Sequence, residues 1–285
     1  MGGVLEGIKV LEMGHVVAAP AASAIMADWG AEVIKIEPPT GDMARGIRLP
    51  VTPEEIAQSK KHADIGWYFQ MMNRGKKSIS MNLKNEGSKE ILTRLVGWAD
   101  IFLTNYELKT LDQLGADYDS LCKINPAIIY ALLTGYGTMG PDKDERGFDF
   151  AAAWARSGLM YMMAEPDGVP PPQRGGMMDR VVGSNMVAGT LAALLHRNKT
   201  GQGQKLEFSL YHTGVWTDAE DIQPALLGWP VFRHDHANAR NPIWNNYRTK
   251  DDGWFWLANL QPDLTWGGFC QAIGMPELEK DPRYC

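Results

Sequence analysis

The sequence predicts an α/β protein, a doubly wound parallel sheet covered by helices and followed by a second, smaller domain. Three observations carry that expectation. Short apolar runs alternate with longer stretches of helical periodicity from residue 8 to residue 211. The connections between them are short and punctuated by Gly or Pro. After about Thr217 this rhythm fades, and six of the ten tryptophans fall between Trp216 and Trp266, marking a change of architecture.

Residues 8–13 (I-K-V-L-E-M) read as a buried strand that Gly14 breaks. Pro20 stands where a first helical turn has no use for an N–H, and 21–29 is an alanine-rich helix ended by Gly30. Residues 32–37 (E-V-I-K-I-E) form the next strand, stopped by Pro38-Pro39. Strand, helix and strand joined this closely imply parallel pairing. The pattern then repeats. Residues 77–82 are a short strand, 85–99 a helix with Ile91, Leu92, Leu95 and Val96 at helical spacing, and 101–104 a strand. Residues 111–114 open a helical stretch, and 128–133 form a strand before Gly135. Residues 147–163 and 178–196 are expected to be helices, and 204–211 alternate as a strand does.

This divides the chain into a large ligand-binding domain over 1–211, a partly helical linker over 212–240 and the start of a small α/β domain over 241–285. In the last, residues 247–253 form a hairpin turn ahead of a strand at 254–258, and 262–273 form a helix.

Composition bounds the function. With 285 residues, 45% hydrophobic, 22% charged and a net charge of −6, the chain has the balance of a globular domain rather than a nucleic-acid binder. Cys122, Cys270 and Cys285 are odd in number and far apart, matching no disulfide framework or zinc pattern, so a reducing cytoplasm is expected. No run approaches the roughly 20 apolar residues of a bilayer span, and none at the N-terminus reads as a signal peptide. Neither a membrane nor a nucleic acid is an expected partner.

Several motifs invite chemistry. The first βα turn, residues 13–20 (M-G-H-V-V-A-A-P), lies where a doubly wound sheet holds its ligand, and Glu37 ends the second strand as a ribose-binding acid does in dinucleotide folds. One glycine stands there where a dinucleotide fingerprint needs three. His234 and His236 alternate in a polar loop with no supporting ligand, so no metal site is expected. His15, His62, His196 and His212 have no nucleophile at motif spacing, and the chain has neither a Gly-x-Ser-x-Gly elbow nor a Walker loop. Asp179 opens a helix of small residues after R-G-G-M-M (174–178). A carboxylate there gains from the helix dipole and serves as a cap. Gly175, Gly176 and Gly183 also admit close backbone approach by a ligand, which a cap alone does not need, so both readings stand on the residues themselves.

Taken in order, these segments resemble the class III (family III) coenzyme A transferases over essentially the whole chain. The carriers are L-E-G-I-K-V-L-E-M-G-H-V-V-A-A-P (5–20), D-W-G-A-E-V-I-K-I-E-P (28–38), N-R-G-K-K-S-I-S-M-N (73–82) and A-D-I-F-L-T-N-Y (99–106). G-Y-G (135–137), R-G-F-D (146–149) and the Asp179 segment leading into G-T-L-A-A-L-L-H-R-N-K-T-G-Q-G-Q (189–204) complete the set. The end of the chain, with S-L-Y-H-T (209–213) and N-P-I-W-N-N-Y-R-T-K-D-D-G-W (241–254), looks most like the 2-hydroxyisocaproate, phenyllactate and benzylsuccinate branch.

The resemblance implies a Rossmann-like large domain, a smaller domain, and an interlocked homodimer or related heterodimer. It implies a reaction between an acyl-CoA and a carboxylic acid, with coenzyme A as substrate and no tightly bound cofactor. Asp179 matches the family's catalytic aspartate. Coenzyme A is expected along Val17 and Ala18, along Met81, Asn82, Leu83 and Lys84, at Asn105 and Tyr106, and along Arg146, Gly147 and Phe148. Val17 replaces a glutamine of the oxalate enzymes, which turns the expected acyl group from oxalate towards an apolar acid. Two alternatives stay open: an acyl-CoA racemase on the same fold, or a non-catalytic subunit of a hetero-oligomer. Related racemases carry a histidine where this chain has Phe148, a side chain that cannot accept a proton.

Overall fold

The computed structural model describes residues 2–47 and 66–284; His62 and Cys285 lie outside the described residues. Six strands form one parallel sheet: β1 (Lys9–Met13), β2 (Glu32–Glu37), β3 (Lys77–Ser80), β4 (Ile101–Thr104), β5 (Ile129–Thr134) and β6 (Gln204–Ser209). Their order across the sheet is β3-β2-β1-β4-β5-β6. All five pairings are parallel, as the short βα connections require.

Helices cover both faces. One is packed by α1 (Ala18–Asp28), with α2 (Trp67–Asn73) beside it; α3 (Glu86–Trp98), α4 (Leu108–Leu114) and α5 (Tyr118–Ile124) lie on the other. The 24-residue α6 (Met177–Thr200) joins α1 on the first face. The alternation along the strands explains how both faces become core. On β5, Ile129, Ala131 and Leu133 enter the cluster under α1 and α6, while Tyr130 and Leu132 enter the opposite one. Phe102 of β4 and Tyr130 stack at 5.2 Å between ring centres, fully buried. Each such side chain contributes about 1.5–3 kcal/mol of burial.

Two expectations need correction. The helix expected over 147–163 is instead a π-helical turn at Asp149–Ala155 and a single turn at Leu159–Met162. Gly158, at φ 109°, separates them, and a β-carbon there would lie 2.9 Å from Asp218 Oδ2. Gly183 is indeed a place of close approach, but the approaching element is α1. A β-carbon at 183 would sit 2.9 Å from the Ala21 Cβ and 3.2 Å from the Ala18 carbonyl oxygen. The small residues of α6 therefore let two helices meet rather than admit a ligand.

The chain divides into two compact units. The first runs to Met160 and resumes over Pro172–Trp229, taking in α7 (Leu210–Thr217) and α8 (Ala219–Leu226). The second comprises Tyr161–Pro171 and the chain from Pro230 onward. Within it, β7 (Trp244–Arg248) and β8 (Trp254–Ala258) form an antiparallel hairpin, followed by α9 (Pro262–Ala272). Arg233 stacks over Tyr161 at 4.7 Å in this unit, and Cys270 is buried. No helix among the described residues is long and apolar enough to cross a membrane.

Candidate active site

The strand order reverses between β1 and β4. The chain leaves β1 for a helix on one face and β4 for a helix on the other, so their carboxyl ends open a crevice. A cavity of about 540 Å³ occupies it. The turn after β1 (His15 to Ala18), the segment after β4 (Asn105 to Lys109) and the end of β5 (Leu133 to Gly135) supply three walls. Met43, residues 143–149, Asp179 and Leu210 supply the rest. This is the size of a small-molecule site.

The β1–α1 turn is built on buried charge. Glu12, with no exposed surface, accepts from the ammonium groups of Lys35 and Lys76, each at 2.6 Å, and from the Ser23 hydroxyl at 2.6 Å. Lys35 also donates to the Gly14 carbonyl at 2.8 Å and pairs with Asp42 at 2.9 Å. Burial alone would lower the Lys35 pKa, but the carboxylates of Glu12 and Asp42 outweigh it and hold the ammonium charged. Asp42 Oδ1 accepts from the Val16 N–H at 3.0 Å and the Ala44 N–H at 2.8 Å. On the other side, Asn105 clamps His15 twice: Oδ1 accepts its N–H at 2.9 Å and Nδ2 donates to its carbonyl at 3.0 Å.

So held, Val16 adopts φ 64°, a left-handed conformation rare for a β-branched residue. The turn feeds α1, whose N-cap Val17 makes no side-chain cap and whose first turn carries no acid. Ala18, the first residue of α1, thus borders the cavity with an N–H that has no intrahelical partner. Glu37 is engaged elsewhere. Its carboxylate accepts from Arg45 (twice, at 2.7 Å), from the Ser78 hydroxyl at 2.6 Å and from the Asp42 N–H at 3.0 Å. Burial would raise its pKa, but these bonds bring it down to about 2. It is not free to bind a ribose.

Asp179 sits in the first turn of α6, three residues after Gly176, the N-cap, which takes φ 67°. Neither residue makes a side-chain cap, and among the described residues no hydrogen bond reaches the Asp179 carboxylate. The capping reading therefore fails. Burial, and then the like charge of Asp149, push the Asp179 carboxyl up to about 7, against the pull of Arg180. A carboxylate held at that cost is a better nucleophile than a solvated one.

Asp149 comes from the π-helical turn, a rare geometry that recurs at functional sites. Its position depends on a backbone crossing. A β-carbon on Gly147 would lie 2.4 Å from the Gly135 Cα, and one on Gly135 would lie 2.7 Å from the Gly147 Cα. Only glycine at both positions lets the 146–149 segment press against the end of β5. Phe148, 67% exposed, presents its ring at the cavity wall.

Of the residues expected from the sequence, Val17, Ala18, Asn105, Tyr106, Arg146, Gly147, Phe148 and Asp179 line this one cavity. Met81, Asn82, Leu83 and Lys84 do not. They follow β3, two strands away from β1 on the same edge, with Met81 buried and Leu83 packed on the core, while Asn82 and Lys84 face solvent. Arg146 pairs with Glu107 at 2.8 Å, both largely exposed. Sequence reasoning passed over Asp42, Lys35 and Asp149. The last was in view as the fourth residue of R-G-F-D, but a lone Asp in an expected helix carries no signal of its own.

The model of CoA-transferase family III matches residues 5–285. The (R)-2-hydroxy-4-methylpentanoate CoA-transferase of Clostridioides difficile is 36% identical over 283 residues, 99% of this chain and 69% of that protein. The cinnamoyl-CoA:phenyllactate CoA-transferase of Clostridium sporogenes is 36% identical over 286 residues, 99% of this chain and 67% of that one. Among solved structures, a CaiB/BaiF family protein from Brucella suis superposes with a TM-score of 0.83 at 31% identity, covering 100% of this chain and 73% of its own. Joined to a cavity at the switch point with an unbonded carboxylate in its wall, these likenesses place the chain in CoA-transferase family III, a family of enzymes acting on CoA thioesters.

Proposed function

We propose that this chain moves coenzyme A from an acyl-CoA donor to a carboxylic acid acceptor, with Asp179 as the nucleophile. The observation that carries the reading is the Asp179 carboxylate itself: in the cavity wall, free of hydrogen bonds and raised in pKa. An Asp179 oxygen attacks the thioester carbonyl, the C–S bond breaks, and an acyl–aspartyl anhydride and the CoA thiolate result. The thiolate attacks the aspartyl carbonyl, the donor carboxylate leaves, and an aspartyl–CoA thioester remains. The acceptor carboxylate attacks that thioester, expelling thiolate, which then takes the acceptor acyl group from the new anhydride. Asp179 is regenerated and no net proton moves. Each tetrahedral step develops an oxyanion, and the unpaired Ala18 N–H at the start of α1 is a donor available to it.

Coenzyme A lies along Val17, Ala18, Asn105, Tyr106 and Arg146–Phe148 in this reading, with Met81–Lys84 beyond the cavity itself. Lys109, Lys143 and Arg146 supply positive charge for its phosphates. The acceptor is an aromatic or branched acid, a 2-hydroxy acid or a benzylsuccinate. Leu133, Val16, Leu210 and Phe148 make an apolar lining, and both relatives named above act on 2-hydroxy acids with apolar side chains. Phe148 disfavours racemisation, which needs a proton acceptor at that wall. The assembly follows the interlocked homodimer or related heterodimer of the family, and Trp216, Leu226 and Trp229, each at least 68% exposed, offer apolar surface for it.

The test is chemical trapping. The protein is mixed with an acyl-CoA, quenched with hydroxylamine or borohydride, and digested for mass spectrometry. Modification at Asp179, absent from Asp179→Ala, is the expected result. Full CoA transfer by Asp179→Ala, or transfer confined to oxalate and short dicarboxylates, overturns the reading or its acceptor class respectively.

A further inference from the structure

Among the described residues, two large apolar side chains stand mostly exposed in the cavity wall: Phe148 at 67% and Met43 at 68%. Met43 opens the short helical turn Met43–Gly46 that follows β2. Its neighbours Asp42 and Ala44 are buried, so the backbone is fixed while the thioether reaches out. Met43 enters none of the apolar clusters of the core, and the fold does not need its side chain as filling.

The turn is held from both sides. Asp42 Oδ1 accepts the Ala44 N–H at 2.8 Å and, from the β1–α1 turn, the Val16 N–H at 3.0 Å. Arg45 grips Glu37 through two bonds at 2.7 Å and lies over the Phe69 ring of α2 at 3.7 Å. One carboxylate oxygen therefore ties Met43 to the turn that presents the Ala18 N–H to the cavity. The charged groups near Met43 are engaged, Asp42 also with Lys35 at 2.9 Å and Arg45 with Glu37, so this wall offers a ligand apolar surface.

We propose that Met43 is a specificity-determining residue for the acyl group, its thioether packing against the branched or aromatic side chain of the acid. The inference rests on the proposed transfer reaction and names the residue that reads the acid. Lys109, Lys143 and Arg146 attract the phosphates of the CoA half, which leaves the apolar half of the thioester to the uncharged wall. An acyl chain there removes from water a Met43 surface that the free protein leaves exposed. Val16 shares the wall but is stiff at χ1 and fixed on a strained turn. An unbranched, polarizable methionine moulds to a branched chain or to a ring, which suits a site that takes either.

The experiment uses the full chain and S-alkyl-CoA thioethers, which no nucleophile in the site can cleave: S-ethyl-CoA, S-isohexyl-CoA and S-phenylpropyl-CoA, titrated by calorimetry. The wild-type protein is expected to bind the isohexyl and phenylpropyl compounds more tightly than the ethyl one. In Met43→Ala the Kd of those two rises by about tenfold, while that of S-ethyl-CoA stays within about twofold. Met43→Leu restores most of the affinity, and Met43→Gln, similar in length but polar at its tip, behaves as Met43→Ala. The same split is expected in kcat/KM for branched and aromatic acids against acetate. Because Met43 is exposed and outside the core, all three variants keep the fold, which thermal unfolding checks. An equal loss for all three thioethers would place Met43 against CoA itself and overturns the proposal. Unchanged affinities in Met43→Ala, or a wild-type protein indifferent to chain length, overturn it as well. Thioether binding needs no turnover, so its outcome is independent of the trapping experiment that tests Asp179 as nucleophile.

Discussion

Asp42 accepts the backbone N–H of Val16 at 3.0 Å, and through that bond a residue five positions past β2 holds the strained turn after β1. The same carboxylate pairs with Lys35 and receives the Ala44 N–H, so it bears two separable loads, a charge and a pair of hydrogen bonds.

Substitution at Asp42 separates them. Asp42→Ala strands the Lys35 ammonium beside Glu12 alone and leaves two N–H groups unbonded, at a cost of about 3–5 kcal/mol. Asp42→Asn keeps an acceptor for Val16 and Ala44 and loses only the charge, so it costs less. Urea unfolding of the two variants gives the order, and equal losses would mean that the hydrogen bonds to the turn contribute nothing.

Asp179 predicts a stability gain in an inactive protein. Its folded pKa, about 7, lies above the unfolded value near 4. The folded state therefore binds the proton more tightly, and the associated stability is present below pH 4 and lost as pH rises to 7. Asp179→Asn escapes that loss. It is expected to be more stable than wild type at pH 8 by about 1–3 kcal/mol and to converge with it near pH 4. Thermal unfolding across this range checks the sign, and transfer activity is lost throughout.

The glycines beside the site differ in what they permit. Gly147→Ala would drive a β-carbon to 2.4 Å from the Gly135 backbone, which cannot yield as a side chain would. It is expected to cost about 1–3 kcal/mol or more and to lower activity by displacing Phe148 and Asp149. Gly175 meets nothing nearer than the Phe150 ring at 4.0 Å, so Gly175→Ala stays within about 0.5 kcal/mol of wild type. Denaturation midpoints of the pair decide whether the backbone crossing, or glycine content in general, supports the site.

The sequence exposes the sheet because each strand is short, apolar and bounded by Gly or Pro, and 32–37 and 101–104 agree with the structure residue for residue. It exposes Asp179 only through the order of motifs around it. What it hides depends on contacts between distant segments. Lys35 in E-V-I-K-I-E looks like the polar side of an alternating strand, and nothing local indicates that Glu12, Lys76 and Asp42 converge with it in the interior. Helix α5, which Asp117 caps through the Ser120 N–H at 3.0 Å, is separated from α4 by only three residues, so the helical stretch that opens at 111–114 does not show the break between the two. The π-helical turn is indistinguishable from ordinary helix in the sequence since A-A-A-W-A fits either winding, and tertiary packing makes the choice.

Arg146 supplies the last prediction, since Glu107 already occupies it at 2.8 Å. An exposed ion pair of this kind contributes at most about 1 kcal/mol, so a CoA phosphate displaces the carboxylate at small cost. Glu107→Gln removes the competitor and one repelling charge, and KM for the acyl-CoA is expected to fall by up to about fivefold with kcat unchanged. Arg146→Gln removes a charge-assisted bond to phosphate, and KM is expected to rise by about tenfold, less so as salt is added. The double variant should behave as Arg146→Gln alone if Glu107 acts only through Arg146. A further fall in KM in the double variant would place Glu107 against the substrate directly.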